Sequence, residues 1–139
     1  MHDPSHHRRR VLVVDGDDAA RDGFVSALET AGYDVIQAWS VVQAMRLVLS
    51  ARPGAVVLDL VLPDGHGIEV GMAMRSIVTT RRICVVAVTS TASSIALVDP
   101  DSFGARTILV KPVSPSELVA CVAECFADAS DTPPSSSLA

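Results

Sequence analysis

The chain has 139 residues, enough for one domain with a buried core and too few for two. At 49% hydrophobic and 19% charged it suits a folded globule, and a net charge of −5 argues against a nucleic-acid partner. No apolar run reaches the roughly 18 to 20 residues of a membrane span, and the His/Arg-rich start is unlike a secretion signal, so a cytoplasmic address is expected.

In chain order, residues 1–8 form a basic polar tail that lacks the side chains for a core. The apolar run Val11-Leu12-Val13-Val14 reads as a strand covered on both faces. A helix is predicted from about Asp18 to Ala31, with Phe24, Leu28 and Ala31 on one side and Gly32 as its stop. Asp34 to Ala38 reads as a second strand. Ser40 and Gln43 have the spacing of a capping box and open a second helix through Met45, Val48 and Leu49. Pro53-Gly54 ends it, and Ala55 to Leu60 forms a third strand. A turn through Pro63-Asp64-Gly65-His66-Gly67 leads into a helix over Ile68 to Ile77. Ile83 to Val88 and Thr107 to Val110 are the fourth and fifth strands. Ser114, Pro115 and Glu117 have the types expected at a helix cap, first position and third position. The domain is bounded at residues 9–128, with a Pro/Ser-rich tail at 129–139.

Five βα units in sequence predict an α/β fold with a doubly wound, five-stranded parallel sheet between two helical layers. Chemistry in such sheets collects at the carboxyl ends of the strands. Those ends carry Asp15, with Asp17 and Asp18 behind it; Asp59; Thr89-Ser90; and Lys111-Pro112. Lys111 is the single lysine beside ten arginines, which suggests a position that needs a compact ammonium. Two acids brought close together call for a cation, and oxygen donors suit Mg²⁺. An aspartate can attack phosphorus to give an acyl phosphate, with a fixed cation balancing the charge that develops. Cys84 lies in an apolar run, and Cys121 and Cys125 lie four apart on a helix; all three are read as reduced thiols. His66 reads as a loop residue, Glu69 and Arg75 as solvated helix surface, and Tyr33 and Trp39 as packing groups.

The segment from Val57 to Gly67, containing Leu58-Asp59-Leu60 and Pro63-Asp64-Gly65, resembles the phosphoacceptor segment of response-regulator receiver domains. Val13-Val14-Asp15, Val88-Thr89-Ser90 and Lys111-Pro112 are similar to the family's other motifs, in order, and the resemblance covers Arg9 to Asp128. It implies a flavodoxin-like (βα)5 fold, with Asp59 taking a phosphoryl group from a histidine kinase or histidine phosphotransfer protein. It further implies that Thr89 and Lys111 assist, that Lys111-Pro112 is cis, and that Mg²⁺ sits on Asp15, Asp59 and the Val61 main-chain carbonyl. Such a chain is not an enzyme beyond its own phosphorylation and dephosphorylation. With no effector domain after Asp128, output is expected through a downstream protein, self-association or phosphate relay.

Three positions depart from the family pattern. Gly16 stands where a second acid normally binds the metal, so either Asp17 substitutes or Asp15, Asp59 and water suffice, with weakened Mg²⁺ binding expected. Ile108 replaces the switch aromatic. Asp99-Pro100-Asp101 should shorten or break a helix over Thr91 to Phe103, because proline costs about 3 kcal/mol in a helix interior. These departures support an alternative, a pseudo-receiver that binds partners without phosphorylation. A further alternative is a haloacid-dehalogenase-type phosphatase with Asp15 of Asp15-Gly16-Asp17 as its nucleophile.

Overall fold

The computed structural model describes residues 9–90 and 99–131. Five parallel strands form the central sheet: β1 (Arg10–Val14), β2 (Asp34–Ala38), β3 (Ala55–Asp59), β6 (Cys84–Thr89) and β7 (Ala105–Val110). Their order is β2-β1-β3-β6-β7. The intervening helices are α1 (Asp18–Thr30), α2 (Val41–Ala51), α3 (Gly67–Ser76) and α4 (Pro115–Asp131). The doubly wound α/β sheet is therefore as the sequence predicts. Among the described residues, no helix is long and apolar enough to cross a membrane.

Alternation along the strands divides the core in two. Leu12, Val14, Val56, Leu58, Val85 and Ala87 face α2 and α3, where Ala44, Val48, Val70, Met74 and Phe103 meet them. The intervening Val11, Val13, Ala55, Val57, Val86, Val88 and Leu109 face α1 and α4, against Phe24, Leu28, Leu118 and Val122. Burial of both faces explains why the central strands β1, β3 and β6 read as apolar runs.

Several details differ from expectation. The turn after β3 contains a short antiparallel hairpin, β4 (Val61–Leu62) and β5 (Gly65–His66), outside the main sheet. Of the proline-containing segment, residues 91–98 lie outside the described residues. Pro100 itself opens a single 3-10 turn, Pro100–Phe103, capped by Asp99, a position where its missing N–H costs nothing. Helix α4 continues to Asp131, three residues past the expected boundary at 128. Arg75 donates to the Asp101 carbonyl, so it is not merely solvated. Tyr33 stacks on Phe126 inside the core as expected, whereas Trp39 is half exposed.

The cysteine reading needs correction. Cys84 and Cys125 form a disulfide, with Cα atoms 5.8 Å apart, and Cys121 is the free thiol. Spacing along the chain draws attention to the helical pair Cys121 and Cys125. The partner that matters is supplied by a strand 41 positions away, through helix-on-sheet packing that periodicity does not reveal.

Candidate functional site

Three of the predicted residues meet at the carboxyl edge of the sheet. The Lys111 Nζ lies 2.8 Å from Asp15 Oδ2 and 3.2 Å from Asp59 Oδ2. The period-2 count explains the meeting. Asp15 continues the parity of Val11 and Val13, Asp59 that of Ala55 and Val57, and Lys111 that of Leu109, so all three fall on the α1/α4 side. Asp15 directly follows β1, which lies beside β3, and Lys111 follows β7, two strands beyond β3. Thr89, buried, ends β6 one residue past the position in register with Asp59. Its carbonyl accepts the Lys111 N–H at 2.8 Å, which fixes the backbones of these two strand ends together. The Lys111-Pro112 peptide is cis.

The remaining carboxylate oxygens are held by main chain. Asp15 Oδ1 accepts the Asp17 N–H at 2.8 Å, and Asp59 Oδ1 accepts the Val61 N–H at 3.1 Å. Burial raises the Asp59 pKa above its ordinary value; the Asp15 charge adds to this, and the Val61 N–H and Lys111 offset it in part. For Lys111, burial alone would lower the pKa, but the hydrogen bond to Asp15 and the charges of Asp59 and Asp15 outweigh it, so the ammonium is held above its usual range. The cation is thus firmly charged, and the Asp59 carboxylate is a somewhat better base than a solvated one. Asp15 is fully buried, whereas the Asp59 side chain keeps 10% exposure.

Magnesium requires hard oxygen donors, and the two carboxylates that converge on Lys111 supply them. The donor set fits the ion with two acids, one fewer than the family pattern. Asp17, the candidate substitute, has one oxygen committed elsewhere. Its Oδ2 accepts the Ala20 N–H at 2.8 Å as the N-cap of α1, so its carboxylate is engaged at the helix terminus. Nor is position 16 simply vacant. A Cβ on Gly16 would come 2.8 Å from Pro63 Cδ and 3.2 Å from its Cγ, because the β4–β5 hairpin leans against the β1–α1 loop. Gly16→Asp alone is therefore expected to overpack that contact, costing ~1–3 kcal/mol, and to leave Mg²⁺ affinity nearly unchanged. Combining it with Pro63→Ala should raise the affinity on the order of tenfold, since added ligand charge tightens binding. Calorimetric titration of the two variants checks this, and a comparable gain in the single variant would contradict the steric account.

Two positioning groups escaped the sequence reading. Arg21 is buried, donates to the Asp15 carbonyl at 2.9 Å, Asp18 at 2.7 Å and Gln37 at 3.1 Å, and lies over the Trp39 ring at 5.6 Å. It holds the loop that carries Asp15. Asp64 accepts the N–H groups of Val41 and Val42 at 2.7 and 3.2 Å, clamping the hairpin after Asp59 onto the start of α2. Glu69 accepts the His66 N–H at 2.7 Å, so His66 is the N-cap of α3 rather than a plain loop residue. Ile108 is half-buried against the α2/α3 cluster, where an aliphatic side chain packs without a polar demand.

A family model described as the response regulator receiver domain matches residues 11–123. Among curated relatives, the phosphate regulon transcriptional regulatory protein PhoB of Pseudomonas aeruginosa is 30% identical over 112 residues, covering 81% of this chain and 49% of that protein. The chain spans about half the length of the curated relatives it matches. Among solved structures, a CheY-like response regulator receiver domain protein from Methanospirillum hungatei superposes with a TM-score of 0.82 at 26% identity, covering 90% of this chain and 98% of that one. The receiver domain of the sensor histidine kinase PA1611 from Pseudomonas aeruginosa shares the fold at 23% identity and a TM-score of 0.78, covering 86% of this chain and 98% of its own; that protein has a magnesium ion coordinated in its active site cleft.

Proposed function

The chain belongs to the response regulator receiver domain family, and from that premise we propose that Asp59 is a phosphoacceptor serving a histidine kinase or histidine phosphotransfer protein. The observation that carries this reading is the Lys111 ammonium shared between Asp59 and Asp15, at 3.2 and 2.8 Å, at the mouth of an apolar sheet. Asp59 rather than Asp15 is the nucleophile, since Asp15 is fully buried while Asp59 retains access to solvent.

Transfer forms a bond from an Asp59 carboxylate oxygen to phosphorus and breaks the bond from phosphorus to the donor imidazole nitrogen, which keeps the electron pair; the ring, already protonated on its other nitrogen, leaves as neutral imidazole. Lys111 balances the charge spread over the phosphoryl oxygens, which is the main demand of such a transition state. Thr89 donates its hydroxyl to one of those oxygens after transfer. The Asp59 oxygen bonded to the Val61 N–H stays oriented, leaving the Lys111-facing oxygen to attack. Asp15, Asp59 and the Val61 carbonyl would hold Mg²⁺, which would neutralise further phosphoryl charge, with affinity weakened because Gly16 supplies no acid.

The signal leaves through protein contacts with a downstream effector or a second copy, in the cytoplasm. A pseudo-receiver reading is favoured by one observation, the Pro63 ring filling the space where the missing acid would start. The two readings separate on incubation with a small phosphodonor and Mg²⁺. A slow gain of one phosphate, mapped to Asp59, supports the acceptor; an unmodified chain supports the interaction module, and modification mapped to Asp15 supports a hydrolase.

A further inference from the structure

We propose that Cys84 and Cys125 form a reversible modification site, a thiol pair closed into a cystine by a disulfide-type oxidant and reopened by a reducing thiol. The pairing is set by packing. Cys84 is the first residue of β6 and half-buried; Cys125 is buried on the stripe of α4 that also carries Leu118 and Val122, the spacing that faces the sheet. Their Cα atoms are 5.8 Å apart, inside the roughly 4.4–6.8 Å span of unforced disulfides. Strand and helix therefore bring the two sulfurs together whether or not they are bonded.

The chemistry balances in two exchanges. The more accessible Cys84 thiolate attacks an oxidised low-molecular-weight disulfide, forming a mixed disulfide and expelling one small thiolate. The Cys125 thiolate then attacks the Cys84 sulfur and expels the second. The protein loses two electrons and two protons, and the small disulfide becomes two thiols. Cys121 sits one turn before Cys125, but burial, then the charges of Glu124 and Glu117, raise its pKa, which disfavours it as the attacking group.

Cystines in a reducing compartment are characteristically transient and redox-sensing. That step rests on the cytoplasmic reading above, whereas the pair chemistry does not depend on phosphorylation. The tie joins the first residue of β6, whose last residue is Thr89, to α4, which follows Lys111-Pro112. Oxidation thus clamps the end of β6 opposite Thr89 to the end of α4 opposite Lys111-Pro112.

The test equilibrates the 139-residue chain in glutathione mixtures from wholly reduced to wholly oxidised, then alkylates free thiols and maps them by mass. Cys121 should be alkylated throughout, while Cys84 and Cys125 lose alkylation together as the oxidised share rises and regain it on return. The oxidised form should melt about 10 °C higher, and reduction should speed amide exchange in the later turns of α4 while leaving α2 unchanged. The variant Cys121→Ser should titrate as wild type does. Alkylation of all three cysteines in every mixture overturns the pairing, and protection of the pair in excess reduced glutathione overturns its reversibility. Equal acceleration of exchange in α2 and α4 overturns the claim that the tie acts on α4. Because no phosphodonor is present, failure here is separate from failure of the acceptor assignment.

Discussion

Asp59→Asn is expected to reduce phosphate incorporation from a small phosphodonor to background and, at neutral pH, to melt a few degrees above wild type. The first effect follows from the nucleophile: an amide oxygen carries no charge to attack phosphorus with. The second follows from the site's electrostatics. Burial and Asp15 raise the Asp59 pKa in the folded chain, so any stability this group contributes is full below the unfolded value of about 3.8 and is lost as pH rises through the folded value. At neutral pH the ionised carboxylate is a cost that asparagine removes, while Lys111 keeps its 2.8 Å contact with Asp15. Melting curves of both proteins should therefore converge near pH 4 and separate toward pH 7. Retained phosphate on the asparagine variant would transfer the acceptor role elsewhere; identical melting at neutral pH would refute the strain attributed to the carboxylate.

Gly67→Ala is expected to cost ~3 kcal/mol or more and to abolish phosphorylation with it. A Cβ at this position would overlap the Asp59 carbonyl oxygen outright and press on the Leu60 Cα at 3.1 Å. Gly67 also donates its N–H to the Leu60 carbonyl at 3.0 Å, so the chain cannot step aside without giving up that bond. What must move is the backbone that carries Asp59. The contrasting control is Gly23→Ala in α1, where nothing lies within 4 Å of the added carbon, and alanine is the better helix former. Thermal melts and phosphodonor labelling of both variants check the pair. A Gly67→Ala protein with wild-type stability and labelling would contradict the packing described here.

The sequence makes the scaffold easy to read because both sheet faces are covered, and the central strands are apolar runs followed by residues of distinct chemistry. Asp15, Asp59 and Lys111 could be grouped because strand ends in such sheets share an edge, and the structure brings all three together. Other features depend on neighbours that local pattern does not announce. Asp17 offered a carboxylate at a plausible place, but a helix needs its first N–H groups satisfied, and that local demand takes the side chain. Gly16 reads as a missing ligand; only the fold shows that the Pro63 ring, from a loop 47 positions on, occupies the adjacent space. Cys84 and Cys125 are likewise joined by a layer contact rather than by spacing. Arg21 looks like an ordinary polar residue of a helix until its guanidinium is seen beneath the Asp15 loop.

The grip of Asp64 on the first turn of α2 is expected to make two distant stretches melt as one unit. The hairpin beyond Asp59, residues 61–66, and the helix start at Val41 are far apart in the chain, yet one carboxylate joins them. Its pKa is lowered, chiefly by the Val41 N–H, so the grip is complete above the ordinary carboxylate range and loosens as acid titrates it. Acidification to below the ordinary carboxylate range should accordingly release the hairpin and fray α2 together, detectable as simultaneous loss of amide protection at Val41, Val42 and Leu62. Protection lost at only one of the two places would show them to be independent.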